Sequence, residues 1–392
     1  MRILYLDIDC CRADHLSCNG YVRQTTPNID RLASEGVSFR RCHCANSPCL
    51  PSRAALFSGR FGFHNGVIGH HGLGEHMRPN SISHNQDRKK PFWVHHLWSH
   101  GWHTVAFSSF HDRHNAWWWT NGWEELHTPT HKKGMEIADE IGAPALAWLE
   151  GNAERDNWFL DVHFWDVHCP YRVPEEWLRR FRGEPYPDFP DVEMVERNLE
   201  IYGPRSARDL HHERPPGWAP PHHPAEVRTL EDARLLVDGY DGSLAYVDHW
   251  IGRILNVLAE KGVLDDTAVI VSGDHGDSFG EHGQYMDHGI ANVAVHNIPM
   301  VMRWPDMAGR GTSDALVYNL DLCPTTCELL DLPIPEEWDG KSFAAAVKGE
   351  EFAGRPYLVY DHGIYTYSRA VRTADWTLIA MYHPGLYRYD SP

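Results

Sequence analysis

Predominantly apolar runs alternate along the chain with longer stretches in which apolar residues recur at helical spacing. The apolar runs predict strands at 2–8, 157–165 and 267–272, the first central and buried on both faces. The longer stretches at 134–151 and 229–262 predict helices, the first broken or restarted at Gly142-Ala143-Pro144. Strands alternating with helices in this way predict an α/β fold built on an open sheet.

Shorter elements complete this pattern. A helix is predicted at 26–36, where Pro27 suits the first turn and Gly36 the end, and a short strand follows it. Further elements are predicted as a helix at 91–100, a strand at 103–108, a strand and helix within 316–331, and short antiparallel strands after about residue 355. The polar segment 60–90 lacks periodicity and is interpreted as a surface loop. The segment 183–228, rich in Pro, His and charged residues, is too long for a simple connector, and a lid and an oligomer arm are the two interpretations left open.

Acidic and imidazole side chains stand where the buried strands end. Asp9 follows the first strand, and Asp274-His275 follows the strand at 267–272. In open α/β sheets ligands bind at the carboxyl ends of the strands, so we expect these side chains to meet. Two carboxylates and an imidazole, with one more donor from residue 49, suit a divalent cation. Hard oxygen ligands favour Ca²⁺, Mg²⁺ or Mn²⁺, and the imidazole also admits Zn²⁺.

A cysteine stands at a predicted helix start. Pro51 suits the first turn, the alanines that follow favour a helix, and Gly59 is a natural end. The side chain of Cys49 therefore lies where unpaired backbone N–H groups and the helix dipole favour negative charge. Arg53 adds a cation one turn later.

Composition limits the function classes. The formal net charge of −18 argues against nucleic acid and anionic membrane surfaces as partners. It also repels an anionic substrate, so such a substrate would need a bound dication and a local cluster of basic groups. The nine cysteines are odd in number and lack framework spacing, and the sequence opens on a strand, so we expect reduced thiols and a cytoplasmic protein. No apolar run approaches membrane-spanning length.

The stretch Cys49-Leu50-Pro51-Ser52-Arg53 resembles the signature of the type I sulfatases, which belong to the alkaline phosphatase superfamily. Further motifs similar to that family follow in its order at 26–32, 273–276 and 280–283. The resemblance implies a large mixed β-sheet flanked by helices with a small C-terminal antiparallel subdomain. It implies a catalytic domain at 1–345 and a small, possibly truncated subdomain at 346–392.

The resemblance also implies a mechanism. A maturation enzyme would oxidise Cys49 to formylglycine, whose hydrated aldehyde attacks a small-molecule or saccharide sulfate ester. A divalent cation, Ca²⁺ in preference to Mn²⁺ or Mg²⁺, would be held by residue 49 with Asp9, Asp274 and His275. The remaining catalytic roles that it implies are nucleophile orientation by Arg53, leaving-group protonation by His168, proton removal by His111 (with His114 as the alternative), and charge stabilisation by His288. Ser109 and Asp287 stand where that family has lysines.

Three alternatives stay open. A phosphonate or phosphate diester hydrolase on the same scaffold is favoured by the single Asp9 and by Arg12-Ala13-Asp14, which resembles the phosphonate monoester hydrolases. A non-catalytic metal- or glycan-binding relative predicts an unmodified thiol at Cys49. A phosphomutase-type relative is disfavoured, because those enzymes use Ser or Thr as the nucleophile.

Overall fold

The computed structural model describes residues 1–70, 77, 92–211, 220, 223–363 and 367–383. Within these residues an α/β architecture is built around one large mixed sheet. Seventeen strands are described, numbered in chain order: β1 Arg2–Ile8, β2 Val37–Phe39, β3 Cys42–His43, β4 Asn46–Ser47, β5 His103–Phe107, β6 Glu125–His127, β7 Trp158–Phe164, β8 Thr267–Gly273, β9 Ser278–Phe279, β10 Tyr285–Asp287, β11 Asn297–Ile298, β12 Met300–Arg303, β13 Gly311–Ser313, β14 Val317–Tyr318, β15 Leu358–His362, β16 Tyr367–Arg372 and β17 Thr377–His383.

The large sheet has the strand order β13-β2-β12-β8-β1-β7-β5-β6. β12 runs antiparallel to both of its neighbours, whereas the other pairs in this sheet are parallel. β1 lies at the centre, as its apolar sequence predicts, and all seven of its residues are buried. The carboxyl ends of β1, β7 and β8 therefore open at one edge of the sheet.

Helices cover both faces of this sheet. Those of the described residues are α1 Pro27–Glu35, α2 Cys49–Ser58, α3 Gly62–Asn65, α4 Trp93–Ser99, α5 Phe110–His114, α6 Ala138–Asn152, α7 Glu175–Leu178, α8 Val192–Asn198, α9 Leu230–Glu260, α10 Val293–His296, α11 Leu322–Leu329 and α12 Ala344–Lys348. Leu4, Leu6 and Ile8 of β1 pack into the core shared with α1, α6 and α9. Ile3 and Tyr5 face the opposite core, which contains α2, α4 and α11. None of the described helices is both long and apolar enough to span a bilayer.

The predicted break in the helix at 134–151 is wrong. α6 runs without interruption from Ala138 to Asn152, with Pro144 inside it. Proline removes one backbone hydrogen bond from a helix, but the buried face of α6 packs into the same core as α9. Gly142 lies so close to the Trp250 ring of α9 that a Cβ would not fit between them. Tertiary packing thus outweighs the local breaker signals.

The last three strands form a small sheet that is not built from the C-terminal segment alone. β15, β16 and β17 pair antiparallel, as predicted, but β4 joins them in parallel at the edge of β15. β4 directly precedes the residues that lead to Cys49, so this sheet is connected to the start of α2. Helix α12 crosses the predicted boundary between 345 and 346, and the two-domain division stays a prediction.

Candidate active site and metal centre

Helix α2 fixes Cys49 at the edge of the large sheet. Cys49 is the first helical residue, and Gly59 ends the helix in the left-handed region with a φ of 63°. The Ser52 hydroxyl donates a hydrogen bond of 2.6 Å to the carbonyl oxygen of Asp274, which ties the start of the helix to the end of β8. The Cys49 side chain is buried at this junction.

Four donor groups meet there. Asp9 and Asp274 follow the paired ends of β1 and β8, and His275 is the next residue. The Cys49 Sγ lies 3.1 Å from His275 Nε2 and 4.0 Å from Asp9 Oδ1. One ligand atom from each of the four residues lies within 4.8 Å of the others, and all four residues are buried. The structure thus brings together the set expected to hold a divalent cation, and its donors fit such an ion.

The side chain of Arg53 contacts two of these donor residues, Asp9 and Asp274, and the residue is 1% exposed. Its Nε donates to Asp7 Oδ2 at 2.8 Å, and its Nη1 donates to Asp9 Oδ2 at 2.9 Å and also to Asp274 Oδ2. One planar guanidinium therefore orients three buried carboxylates, a geometry that lysine cannot reproduce.

These contacts set the charge states of the site. Burial favours the neutral acid, but the positive charge of Arg53 holds the pKa of Asp9 well below its usual range. Burial, and then the carboxylates of Asp9 and Asp274, raise the pKa of the Cys49 thiol well above its usual value. An unmodified Cys49 is consequently a protonated thiol and a poor nucleophile.

Two residues of this site, Asp7 and His163, were missed from the sequence. They are register partners on the adjacent strands β1 and β7. The Nε2 of His163 lies 2.7 Å from Arg53 Nη2, and its Nδ1 lies 2.8 Å from the Ser108 hydroxyl. The sequence did contain a signal for each, because Asp7 and His163 are polar residues within otherwise apolar strands, and Asp7 lies two positions before Asp9.

The expected acid, His168, lies at the same edge of the sheet. Its Nδ1 donates to the Cys169 carbonyl at 2.6 Å, and its Nε2 accepts from Arg113 at 3.4 Å. Donors of His168, Asp9 and Cys10 lie within 4.8 Å of one another. Burial, and then the charge of Arg113, lower the pKa of His168 to about 3, so the imidazole is neutral in the absence of an anion.

His288 also reaches the site. Its ring centroid is 4.3 Å from that of His275, and its Nδ1 lies 2.9 Å from Asp277 Oδ1. Burial alone would lower the pKa of His288, but the hydrogen bond with Asp277 and nearby carboxylates raise it. His288 is therefore the more readily protonated of the two histidines expected to contact substrate.

The structure does not place His111 with the other site residues. Its ring stacks parallel to that of Trp119, with the two ring centroids 6.0 Å apart. His114, the alternative, contributes a donor within 4.8 Å of donors from Cys49 and His70. The buried Phe110 on the same helix lies 5.0 Å from the His114 ring and 5.2 Å from the Arg53 guanidinium. The structure thus places His114 rather than His111 beside Cys49, and the catalytic role of either histidine stays a prediction.

His70 is a further missed residue, since 60–90 was interpreted as a surface loop. Its Nε2 accepts a 3.0 Å hydrogen bond from the backbone N–H of Leu50, an orphan donor of the α2 start. Burial lowers the pKa of His70 well below its usual value. The Cys49 side chain is thus flanked by two neutral imidazoles, those of His70 and His114.

The sulfatase family model matches residues 2–332, which is most of the chain. The chain belongs to the sulfatase family. A second family model, described as the C-terminal part of N-sulphoglucosamine sulphohydrolase, matches residues 280–387 of this sulfatase. Membership confirms the expected family and the class of sulfuric ester hydrolase.

Individual relatives are distant but extensive. An arylsulfatase from Clostridium perfringens is 22% identical over 92% of this sulfatase and 81% of its own length. A solved structure in complex with its substrate D-glucosamine-2-N,6-O-disulfate has a TM-score of 0.74 and 22% identity, covering 98% of this chain and 89% of that one. A phosphonate monoester hydrolase from Silicibacter pomeroyi has a TM-score of 0.72 and 18% identity, covering 98% and 87%. These likenesses confirm the predicted fold class.

Proposed function

We propose that this sulfatase hydrolyses the sulfate ester of a saccharide through a formylglycine made from Cys49. The observation that carries the proposal is the position of Cys49 at a helix start, 3.1 Å from His275 and against Asp9. A side chain placed there is buried and faces the donors of a cation site. The proposal requires a maturation enzyme as a partner.

A divalent cation fits the donors of Asp9, Asp274, His275 and residue 49. Calcium is favoured by the carboxylate oxygens, with Mn²⁺ and Mg²⁺ as alternatives. When bound, such a cation supplies Lewis-acid polarisation and charge screening at the reacting oxygens. Arg53 orients the carboxylates of Asp7, Asp9 and Asp274 through its hydrogen bonds.

The raised pKa of the Cys49 thiol supports modification, because the thiol form has little nucleophilicity of its own. A hydrated aldehyde at this position supplies a hydroxyl nucleophile and a second hydroxyl through which the product is released. His114 is suited to accept the proton of that second hydroxyl. Its Nε2 is buried and has no hydrogen-bond partner among the described residues, and burial lowers its pKa.

His168 is assigned to the leaving group. It is neutral in the free protein because burial and Arg113 disfavour its protonation. The negative charge of a bound sulfate favours the imidazolium and so raises its proton affinity when substrate arrives. His288, whose protonated form Asp277 stabilises, is assigned to the oxygens of the transferred group.

A saccharide substrate is supported by the solved relative whose bound substrate is a sulfated glucosamine. We also propose a cytoplasmic location. It is supported by the nine cysteines, none of which forms a disulfide, because reduced thiols are typical of that compartment.

Intact peptide mass spectrometry across residue 49 tests the proposal. The full chain is co-expressed with a formylglycine-generating enzyme, and the expected result is an aldehyde at residue 49 that reacts with a hydrazide. A Cys49→Ala chain prepared in parallel gives the background. A thiol that persists under co-expression contradicts the proposal and favours a non-catalytic metal- or glycan-binding relative.

A phosphonate or phosphate diester hydrolase is the second candidate. It is favoured by the single Asp9 followed by Cys10, and by the fold likeness to a phosphonate monoester hydrolase. Parallel assays with matched aryl sulfate and aryl phosphonate esters separate the two. A kcat/KM that is higher for the phosphonate would reverse the assignment.

A further inference from the structure

A second guanidinium, that of Arg113 on α5, lies at the edge of the candidate active site. Its Nη2 is 3.4 Å from the Nε2 of His168. The buried ring of Trp165 connects it with the metal centre, because the Arg113 Cζ lies 5.2 Å from the ring centroid and the Arg53 Cζ lies 5.8 Å from the same centroid. Both guanidinium groups therefore pack against one indole.

The two arginines differ in their partners. Arg53 forms ion pairs with Asp7, Asp9 and Asp274, so its charge is already matched by carboxylates of the protein. Arg113 is half-buried, and within the described part of the chain it forms no ion pair with a carboxylate. A guanidinium that is partly removed from water without an acidic partner is available to an anionic ligand.

The side chain of Arg113 is held in position on one side and loosely engaged on the other. Its Nη1 donates a 3.0 Å hydrogen bond to the carbonyl oxygen of Lys133, and a Cβ at Gly134 would overlap its aliphatic stem. The contact of Nη2 with His168 is long and consequently weak. An anion at Nη2 would thus replace a weak hydrogen bond, and the planar fork of N–H groups matches the oxygens of a sulfate.

The charge of Arg113 acts on two residues of the site. Burial, and then the carboxylates of Asp9 and Asp274, raise the pKa of the Cys49 thiol, and Arg113 is the first of the positive charges that oppose this rise. Burial, and then Arg113, lower the pKa of His168. Arg113 is therefore close enough to influence both the residue proposed to attack and the residue assigned to the leaving group.

We propose that Arg113 is a further catalytic residue, which binds the oxygens of the transferred sulfate through its guanidinium N–H groups alongside His288. The inference rests on the proposed function and adds a residue to that same site. Binding draws Nη2 away from His168 Nε2, so this nitrogen is free to take up from solvent the proton that it gives to the leaving alcohol. One binding event thus orients the anion and prepares the acid.

Calorimetric titration with inorganic sulfate tests the role of Arg113. The full chain is expressed without a formylglycine-generating enzyme, so residue 49 stays a thiol, and Ca²⁺ is present at equal concentration in cell and syringe. Arg113→Met should weaken sulfate binding by about 10- to 150-fold, the range expected for losing a hydrogen bond to a charged group. Arg113→Lys retains the charge but loses the planar fork, so its loss of affinity should be intermediate.

Lys133→Met is the matched control. Lys133 is a neighbouring cation whose side chain is 61% exposed and pairs with Asp112, so its removal should change the sulfate affinity by less than about twofold. Circular dichroism confirms that each variant is folded.

Two results would overturn the proposal for Arg113: a parent chain that does not bind sulfate, and parent affinity in both Arg113 variants. An equal loss in Lys133→Met would do the same, because it would show a general effect of charge. The titration needs no aldehyde at residue 49, whereas formylglycine is detected by peptide mass, so failure of this inference and failure of the proposed function are distinguishable.

Discussion

Cys49 and His275 are 226 positions apart in the chain, yet their Sγ and Nε2 atoms lie 3.1 Å apart. The contact exists because β8 pairs with β1 at the centre of the sheet, while Ser52 ties α2 to the end of β8. Strand ends supply the acids, and a helix start supplies the residue that they face. The proposed chemistry depends on this convergence.

Asp274→Ala should remove the cation of this centre. The substitution deletes a carboxylate of the donor set and a partner of Arg53. Elemental analysis of the purified full chain should show one equivalent of divalent metal less than the parent. Asp265→Ala, at a carboxylate on the protein surface, is the control and should retain the parent metal content. Parent stoichiometry in Asp274→Ala would refute the ligand set.

Arg53→Met should be strongly destabilising. It leaves the buried carboxylates of Asp7, Asp9 and Asp274 without their shared guanidinium, and removing one partner of a buried ion pair costs about 3–5 kcal/mol. Urea unfolding measures the loss, and added divalent cation should restore part of it because the ion replaces the missing charge.

Arg40→Met provides the comparison for Arg53→Met. Its ion pair with Asp314 is about half exposed, so the loss should stay below about 1 kcal/mol and should not respond to metal. Equal losses at the two arginines would show that Arg53 does not organise the carboxylates.

Asp361→Asn should stabilise the protein near neutral pH. Burial raises the pKa of Asp361 to about 6, although the hydrogen bond from Asn46 and the charge of Arg369 oppose the shift. A folded-state pKa above the unfolded value means that stability falls as pH rises from about 4 to about 6 and stays lower above it. The variant avoids the free-energy cost of keeping a buried carboxylate ionised at neutral pH, which is on the order of 2–3 kcal/mol.

The measurement for Asp361→Asn is the difference in Tm from the parent at pH 4 and at pH 7.5, with the gain expected only at the higher pH. Asp314→Asn should instead lower the Tm, and only at the higher pH. The hydrogen bond with Arg40 lowers the pKa of Asp314, so the ionised carboxylate stabilises the fold only at pH values above the ordinary pKa of an aspartate. A Tm gain in Asp361→Asn that is independent of pH would contradict the raised pKa of Asp361.

The sequence was sufficient for the long elements and for the residues at strand ends. Asp9 and Asp274 were predictable because a buried parallel strand exposes its end at a known edge of the sheet. The continuity of α6 through Pro144 was not predictable from the sequence, because it depends on packing against Trp250, which lies far away in the chain. The joining of β4 to the C-terminal sheet is likewise a long-range pairing with no local signal.

The choice between His111 and His114 shows the same limit within one helix turn. Both residues lie on α5, and counting along the chain favours His111. Phe110 packs against both the Arg53 guanidinium and the His114 ring, and counting along the chain cannot predict such a tertiary contact. Asp7 and His163 were missed for a related reason, since their roles come from cross-strand register rather than from a motif.

His114→Ala should slow product release far more than the first chemical step. A positioned general base contributes about 10²–10⁴ in rate, so steady-state kcat should fall by that range. The first turnover should persist as a burst of released alcohol, because bond cleavage does not need this base. His111→Ala should keep the parent kcat, since its ring faces Trp119. The opposite ranking of the two variants would assign the role to His111.

His168→Ala should make the rate depend on the leaving group. A sugar alkoxide is a poor leaving group and needs the proton that His168 supplies, so hydrolysis of a sugar sulfate should fall by about 10²–10⁴. A nitrophenolate leaves without protonation, so hydrolysis of 4-nitrophenyl sulfate should fall by less than about tenfold on the same general-acid argument. The ratio of the two kcat/KM values is the measurement, and the exposed His131→Ala is the control that should leave it unchanged. If both substrates lose activity equally, His168 contributes to binding rather than to proton transfer, because only a proton donor distinguishes a basic leaving group from an acidic one.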